Sequence, residues 1–326
     1  MNIAFTICSA NHLPFAKSLA DSILQHNSNY KFIIALADRY DKFDRNFFVP
    51  HTIIPVTEMD LPFFKELSDR YNIFELSCAL KPFVARYLLD ANKDCEAFFY
   101  FDSDILVYAP LIQAEAILQN HCLLITPHIA TPLTYEARIS TELSVLRTGL
   151  YNAGFFAINR STESFKFLEW WQERLKYNCF DDAAHGLFVD QLWLNLAPLY
   201  FRNTYVLHNP GYNLAYWNFL ERKLTMENGK FMVNENHPLI FFHYSGYDIH
   251  QPQAISKHQK QHFLEMVPEY IPLFEKYIAV VNRNNIADFF SLPVTVGKPM
   301  PKKLAAVREK NFFKRKFKKL FQKTIS

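Results

Sequence analysis

The sequence predicts an α/β fold in which helices cover a parallel sheet. Half of the side chains are apolar (50%), so a chain of 326 residues can bury a large core. Segments rich in β-branched and aromatic residues alternate with segments of helical periodicity from the start of the chain. This alternation is typical of parallel strands that are joined by helices.

The predicted elements follow in order along the chain. Strands are predicted at residues 3–8 and 32–37, separated by a helix at 14–26, and helices follow at 60–70 and near 82–89. A fully apolar strand at 98–101 runs into Asp102, and a helix at 113–120 leads to a strand at 121–126. Later elements are a strand at 155–158, helices at 163–176 and around 186–196, and an aromatic strand at 239–243. We predict a loop at residues 209–218, a helical extension at 251–292 and a linker at 293–301.

Residue usage argues against several common kinds of site. The five cysteines are widely spaced and form no C-x-x-C pair, so we expect reduced core thiols instead of a zinc site or disulfides: Cys8, Cys78, Cys95, Cys122 and Cys179. The glycine-rich signatures of dinucleotide-binding and P-loop proteins are missing from a sequence with only 7 glycines. A bound phosphate would therefore have to be held in another way.

Two carboxylates stand at the end of the apolar strand predicted at 98–101. Asp102 and Asp104 flank Ser103, and core-type residues precede and follow them. Alternate residues of an extended chain share a face, so we expect both carboxylates to reach one point. Two such groups repel each other unless a cation joins them, and Mg²⁺ or Mn²⁺ prefers oxygen ligands. Because a D-x-D pattern arises about once by chance in this composition, the prediction depends on the flanking core residues.

Residues 97–107, which read AFFYFDSDILV, resemble the metal-binding segment of glycosyltransferase family 8. Further segments match the family in the same order: the opening strand IAFTICSAN, Lys81, Asn152-Ala153-Gly154, Asp190-Gln191 and His243. The resemblance spans roughly residues 3–250 and implies one Rossmann-like GT-A domain over residues 1–250, with a mixed, mostly parallel sheet. An extension at 251–292 and a linker with a tail helix at 293–326 would follow it.

The same resemblance implies a set of site residues. Asp102, Asp104 and His243 would be the metal ligands, and an imidazole favours Mn²⁺ over Mg²⁺. Asp190 and Gln191 would be the catalytic pair beside the sugar. Donor contacts are implied for Thr6, Ser9, Asn11, Lys81, Asp102, Ser103, Asn152, Ala153 and Gly154. The family's phosphate-binding lysine shortly after the histidine is not matched, which leaves His250 and Lys257 as candidates.

The resemblance implies transfer of a hexose-type sugar, with retention, from a nucleotide-sugar to a glycan or lipid-linked acceptor, as in polysaccharide biosynthesis. The implied donor is a UDP-sugar. An inverting reaction would need a carboxylate base, for which Asp181, Asp182 and Asp248 are candidates. Tyr212, Tyr216 and Trp217 are candidates for stacking on a sugar. A catalytically inactive scaffold that binds sugars or membranes is the alternative function.

The C-terminal tail is strongly basic. Residues 302–323 contain ten Lys and Arg against the single acid Glu309. Within 312–321, apolar residues recur at helical spacing opposite basic ones, which predicts a helix at a membrane surface. A helix docked on the protein itself is the alternative. No recognition motif for nucleic acid accompanies the basic residues, so we expect no nucleic-acid partner. The first residues lack a signal-peptide pattern, so we expect a cytoplasmic protein, either free or peripheral on the cytoplasmic membrane face.

Overall fold

In the described part of the chain, seven strands form a mixed, mostly parallel central sheet. The computed structural model describes residues 1–38, 43–259 and 263–299. Its strands are β1 (Asn2–Cys8), β2 (Tyr30–Leu36), β3 (Thr52–Pro55), β4 (Ala97–Phe101), β5 (Ile105–Val107), β6 (Leu123–Pro127), β7 (Tyr151–Asn159), β8 (Asp181–Asp182), β9 (Leu187–Phe188), β10 (Thr204–Val206), β11 (Leu224–Glu227), β12 (Lys230–Val233), β13 (His237–Pro238) and β14 (Phe241–His243). The central order is β10-β6-β7-β4-β1-β2-β3, and β7 alone runs antiparallel to its neighbours. The predicted α/β fold is confirmed.

Helices cover both faces of this sheet. They are α1 (Leu13–His26), α2 (Phe64–Arg70), α3 (Ile73–Ala91), α4 (Ile112–Leu118), α5 (Tyr135–Thr148), α6 (Thr162–Tyr177), α7 (Ala197–Tyr200), α8 (Ile271–Arg283) and α9 (Ile286–Phe290). Helices α3 and α6 contribute to the core on one face, and α1 and α4 contribute to the core on the other. The five cysteines are buried free thiols, as the sequence predicts.

Strand β4 shows why the sheet forms as it does. Phe98 and Tyr100 enter the core on the α3 side, while Phe99 and Phe101 enter the core on the α1 side. All four side chains are at most 1% exposed. A strand that is buried on both faces is expected to be apolar throughout, which is what the sequence of β4 shows. The strand therefore ends where the first acid, Asp102, appears.

Two predicted helices differ from the structure. The helix predicted at 60–70 begins only at Phe64, because Asp60 and Phe63 have positive φ angles of 48° and 67°. The helix predicted around 186–196 is wrong. Gly186 has a φ of +79°, and Leu187–Phe188 pairs with Asp181–Asp182 as a short hairpin. Only Leu192–Leu196 forms a 3₁₀ helix, because the chain turns back before a longer helix can start.

Other elements extend or add to the prediction. The helix predicted near 82–89 is the second half of α3, which starts earlier because Asn72 and Glu75 form a capping box at its N-terminus. Strands β3 and β10, helix α5 and the β11–β12 hairpin were not predicted. These elements are short or carry weak apolar periodicity, so their sequence signal is small.

The C-terminal residues pack against the rest of the molecule. Phe274 and Tyr277 of α8 form ring contacts with Phe242 of β14 and with Tyr244, and α8 and α9 both contact α1. The linker predicted at 293–301 has no helix or strand over residues 292–299. The tail helix predicted at 312–321 lies outside the described residues. Within the described ranges, no helix combines the length and apolar character needed to cross a membrane.

Candidate active site

Two carboxylates and one imidazole converge at the C-terminal end of β4. Single oxygen or nitrogen atoms of Asp102, Asp104 and His243 lie within 4.8 Å of one another. The Nε2 atom of His243 is 3.1 Å from Oδ1 of Asp104 and 3.9 Å from Oδ2 of Asp102. Two carboxylate oxygens and one imidazole nitrogen suit a divalent ion such as Mn²⁺. The three ligands implied by the family resemblance are therefore brought together.

Strand pairing positions the histidine. β14 runs antiparallel to β5, with His243 opposite Ile105, and the backbone N–H of Tyr244 donates to the carbonyl of Asp104 (2.9 Å). This register sets His243 beside the segment that carries both acids. That segment is a turn closed by a hydrogen bond from the N–H of Ile105 to the carbonyl of Asp102 (3.2 Å). The predicted extended geometry is therefore wrong, since a turn brings the two carboxylates together.

The carboxyl group of Asp104 is held in its ionised form. Partial burial alone would raise its pKa, but the neighbouring His243 outweighs burial and holds the pKa at about 2. Asp102 accepts a hydrogen bond from the hydroxyl of the buried Tyr100 (2.6 Å). The Asp104 carboxyl group is thus charged at neutral pH, and the Asp102 carboxyl group is oriented by Tyr100.

Lys81 is a buried cation at the base of the site. Its side chain is 4% exposed, and its Nζ lies 2.8 Å from Oδ2 of Asp190 and 3.3 Å from Oδ1 of Asp102. The ammonium group also donates to the carbonyl of Ala153 (2.9 Å). Burial alone would lower the pKa of Lys81, but the two carboxylates outweigh it and raise the pKa well above its usual value. Burial raises the pKa of Asp190, and Lys81 limits that rise. In this structure Lys81 joins Asp102 to Asp190.

Asn152 and Gln191 lie in a buried network of amides. The Nδ2 of Asn152 donates to Oε1 of Gln191 (3.1 Å), and Gln191 donates through Nε2 to the carbonyl of Thr148 (3.0 Å). The Oδ1 of Asn152 accepts hydrogen bonds from the N–H of Gly154 (3.1 Å) and from Nδ2 of Asn213 (3.0 Å). Several hydrogen bonds therefore set the orientation of the Asn152 amide.

His128 and Asn213 belong to this network, and sequence reasoning missed both. Nδ2 of Asn152 also lies 3.2 Å from Nε2 of His128. Burial lowers the pKa of His128 to about 4, so its neutral ring can accept this hydrogen bond at pH 7. Asn213 is fully buried with a φ of 57°, and it donates to Oγ1 of Thr126 (2.9 Å). The sequence carried one indirect signal, and only for Asn213. This residue lies inside the segment 209–218, where turn-forming residues predict a loop.

Gly154 leaves room for the imidazole ring of His243. A Cβ atom at this position would lie 2.4 Å from Cε1 of His243 and 2.8 Å from Oδ1 of Asn152. The carbonyl of Gly154 accepts from the N–H of Asp102 (2.7 Å). The other side of the imidazole contacts Trp217, with ring centroids 5.3 Å apart. Of the three aromatic residues considered for sugar stacking, Trp217 is the one that contacts a ligand residue, whereas Tyr212 is buried in the core.

A cationic segment lies near the metal ligands. Residues 256–258 return to Gly246, where the N–H of Lys257 donates to the Gly246 carbonyl (2.9 Å) and the ring of His258 covers the glycine. Burial and the charge of Lys257 lower the pKa of His258, whereas the charge of Asp104 opposes them. His250 instead packs against Phe290 on the C-terminal helices, with ring centroids 4.7 Å apart.

The remaining predicted residues lie at or below the ends of β1 and β4. Thr6 is fully buried within β1. Ser9 donates to Oδ1 of Asn11 (2.6 Å) just beyond that strand, and Ser103 is buried in the turn between the two acids. Asp181 and Asp182 lie on the β8–β9 hairpin. Asp248 accepts hydrogen bonds within its own loop, from the His250 N–H and from Gln251.

Sequence comparison connects the chain to proteins of unassigned function. No protein-family model matches it. The uncharacterized protein YfnF of Bacillus subtilis (strain 168) is 28% identical over 201 residues, which cover 60% of this chain and 65% of YfnF. The match thus spans slightly less than two thirds of that relative. The uncharacterized protein YfnD of the same organism is 23% identical over 250 residues, covering 75% of this chain and 77% of YfnD.

Structural comparison is more informative about the fold. The bifunctional glycosyltransferase WbbM superposes with a TM-score of 0.53 and 13% identity, covering 88% of this chain and 51% of WbbM. This chain has the GT-A glycosyltransferase fold. The family resemblance seen in the sequence is confirmed at that level. The solved structure of the galactosyltransferase LgtC, with donor and acceptor sugar analogs, gives a TM-score of 0.47 and 15% identity, covering 90% of this chain and 98% of LgtC. The glycosyltransferase GlyE of Streptococcus pneumoniae TIGR4 gives a TM-score of 0.48 and 14% identity, covering 90% of this chain and 64% of GlyE.

Proposed function

We propose that the chain is a metal-dependent glycosyltransferase that uses a nucleotide-sugar donor. The convergence of Asp102, Asp104 and His243 is the observation that carries this proposal. The three side chains meet at the C-terminal ends of β1 and β4, where the sheet order reverses, and such crevices bind nucleotides in open α/β sheets. Mn²⁺ or Mg²⁺ held by these residues would supply positive charge to the departing diphosphate.

Lys257 and His258 are the proposed partners of that diphosphate. The backbone contact between Lys257 and Gly246 brings a cation into the neighbourhood of His243. Ten residues lie between Gly246 and Lys257 in the sequence. His250, the other candidate, lies against Phe290 and is therefore disfavoured. The positive charge of Lys257 near a leaving diphosphate would stabilise the charge that develops there.

The donor sugar is proposed to lie over Asn152, Gly154 and Gln191, on the β7 side of the metal ligands. The nearby carboxylate of Asp190 is 1% exposed and paired with Lys81, so it is poorly placed to attack an anomeric carbon. That arrangement argues against a double displacement through Asp190. Retention by attack of the acceptor hydroxyl on the face from which the diphosphate leaves is part of the proposal. A UDP-sugar donor and a glycan or lipid-linked acceptor belong to the same proposal, as does a cytoplasmic, membrane-peripheral location through residues 312–321.

The test measures nucleotide and metal binding together with donor hydrolysis. In wild-type protein with Mn²⁺, we expect UDP to raise the melting temperature, because a ligand at 100 times its Kd adds about 2.7 kcal/mol of stability. One sugar of a UDP-sugar panel should be hydrolysed. Asp104→Asn removes a ligand charge and should lower that rate about 100-fold or more.

The matched control is Asp69→Asn, which removes an exposed carboxylate that pairs with Lys65 and lies outside the proposed metal triad. We expect this variant to keep the Mn²⁺-dependent shift and the hydrolysis rate. Equal rates in wild type and Asp104→Asn would refute the metal assignment. Nucleotide binding with no turnover of any donor or acceptor would instead indicate the inactive scaffold.

A further inference from the structure

A segment near the C-terminus contacts the chain just after β2, helix α2 and the start of α3. Residues 292–298, here called the C-terminal strap, follow α9 and are tied to the domain at three points. The N–H of Thr295 donates to Oδ1 of Asp38 (2.9 Å), and the Thr295 hydroxyl donates to the same oxygen. The N–H of Gly297 donates to Oγ of Ser68 (3.2 Å), and the N–H of Lys298 donates to the carbonyl of Tyr71 (2.7 Å).

The strap fits closely against the start of α3. Gly297 has a φ of +81°, and a Cβ at this position would lie 3.0 Å from the amide nitrogen of Ile73 and 3.0 Å from the carbonyl oxygen of Tyr71. Lys298 forms a parallel bridge with Asn72, the N-cap of α3. Val296 packs against the buried core beside α3. These contacts form only when the strap has one particular backbone conformation. A loosely attached linker would not require a single conformation.

The strap lies against the end of β2, which is beside the end of β1. Asp38 follows β2 and is 2% exposed beneath Thr295. The N–H of Ala37 donates to the carbonyl of Cys8 (2.8 Å), so the ends of β1 and β2 lie side by side. Helix α9, directly before the strap, contacts the 3₁₀ turn at Ala10–His12 that follows β1. The strap and α9 together border this part of the crevice.

The order of strands sets the direction in which a nucleotide-sugar would extend. Asn152 and Gly154 lie on β7, the metal ligands lie at the end of β4, and β1 and β2 follow on the opposite side. A donor with its diphosphate at the metal ligands and its sugar over β7 must place its nucleoside over β1 and β2. Neighbouring strands are about 4.8 Å apart, so the nucleoside meets the strap within two strand spacings.

We propose that the C-terminal strap forms a wall of the nucleobase pocket and that Thr295 contacts the base. Asp38 is then a positioning residue, because its carboxylate accepts both the N–H and the hydroxyl of Thr295 and so sets the orientation of that residue. The strap selects among nucleobases, while the metal ligands bind the diphosphate that all nucleotides share. This inference rests on the proposed function, since it assumes a nucleotide donor.

Hydrogen–deuterium exchange on the full chain tests the proposal. With Mn²⁺ present, UDP should slow exchange of the hydrogen-bonded amides of Thr295, Gly297 and Lys298 by about fivefold or more, because bound ligand suppresses local opening. Mn²⁺ with pyrophosphate should protect residues near 102–104 without protecting the strap. The same comparison with ADP, GDP and CDP shows which base the pocket accepts.

A substitution separates recognition from stability. Thr295→Val keeps the side-chain shape and removes the hydroxyl, and it should reduce the preference for UDP over the other diphosphates by about fivefold, the effect of one hydrogen bond. Its affinity for Mn²⁺ with pyrophosphate should equal that of wild type. Thr225→Val, the same change at an exposed residue of β11 outside the strap, is the matched control and should leave both quantities unchanged.

Three results would overturn the inference. Protection of residues 6–11 and 102–104 by UDP, without protection of the strap, would refute the wall while leaving the proposed function intact. Tighter UDP binding by Thr295→Val would show that the strap excludes the nucleotide. Failure of every nucleotide to bind in the presence of Mn²⁺ would refute the proposed function and the inference with it.

Discussion

At the residue scale, Lys81 connects binding chemistry to stability. A single ammonium group contacts Asp102, Asp190 and the carbonyl of Ala153 while almost completely buried. Removing one partner of a buried ion pair leaves the other charge desolvated, which costs more than the pair itself contributes. The resemblance implies a donor contact for Lys81, and the structure shows a cation that holds Asp102 and Asp190 in position. Its contact with a donor stays a prediction.

We predict that Lys81→Met lowers the free energy of unfolding by about 3–5 kcal/mol, because two carboxylates lose their buried cation. Urea denaturation measures the change. Arg86→Met is the control on the same helix, since Arg86 pairs with Asp90 at the surface, and it should cost about 0.5 kcal/mol or less. The double variant Lys81→Met/Asp190→Asn should be more stable than Lys81→Met. A double variant that loses the sum of both single effects would contradict the pairing.

At the scale of elements, the cluster of Asp102, Asp104 and His243 depends on two strand pairings. β7 pairs with β4 and brings Gly154 beside Asp102, and β14 pairs with β5 and brings His243 beside Asp104. The imidazole then occupies space that exists because residue 154 has no side chain. A glycine in a central strand costs conformational entropy, so close approach of another group is the physical reason for finding one there.

We predict that Gly154→Ala weakens Mn²⁺ binding by about 10- to 100-fold, because the new methyl group must displace the His243 ring. Isothermal titration with Mn²⁺ and UDP measures the affinity. Gly229→Ala is the control, because its new methyl group meets open space. The φ of +76° at this position means that alanine lowers the stability of the chain. The control should lose stability and keep its Mn²⁺ affinity. Unchanged affinity in Gly154→Ala would show that the histidine is not held at this distance.

At the scale of the whole molecule, the C-terminal helices support the strand that carries the histidine. Phe274 of α8 is 1% exposed, and its ring contacts those of Phe242 on β14 and of Tyr244 and Tyr247 just beyond it. The boundary predicted at residue 250 thus separates two parts that share one apolar cluster. The separate domain over residues 1–250 stays a prediction. The shared cluster argues that the two parts unfold as one cooperative unit.

We predict that Phe274→Ala lowers the stability of the whole chain by about 3–5 kcal/mol through loss of buried ring contacts. Near-ultraviolet circular dichroism and the Mn²⁺-dependent melting shift should report a single transition, displaced equally in both measurements. Phe290→Ala, at a half-exposed position on α9, is the control and should have a small effect. Two separate transitions would show that the extension unfolds independently.

The local pattern of residues was sufficient to predict the α/β architecture, the buried strand β4 and the acids that follow it. Burial on both faces requires a continuous apolar run, and such a run ends visibly at a charged residue. The family resemblance then implied His243 and the amide residues. The architecture could be predicted because strand character is encoded over short stretches of chain, whereas the roles of His243 and the amide residues stay predictions.

Long-range contacts could not be inferred in the same way. Lys81 meets Ala153 across 72 residues, and Thr295 meets Asp38 across 257, so neither contact leaves a periodic signal in the sequence. The turn at 102–104, the hairpin in place of a helix near Gly186, and the buried His128 and Asn213 likewise depend on packing and strand register. Local periodicity determines which residues are buried, and only tertiary structure decides which polar groups meet, because buried polar groups must find partners wherever the fold brings them.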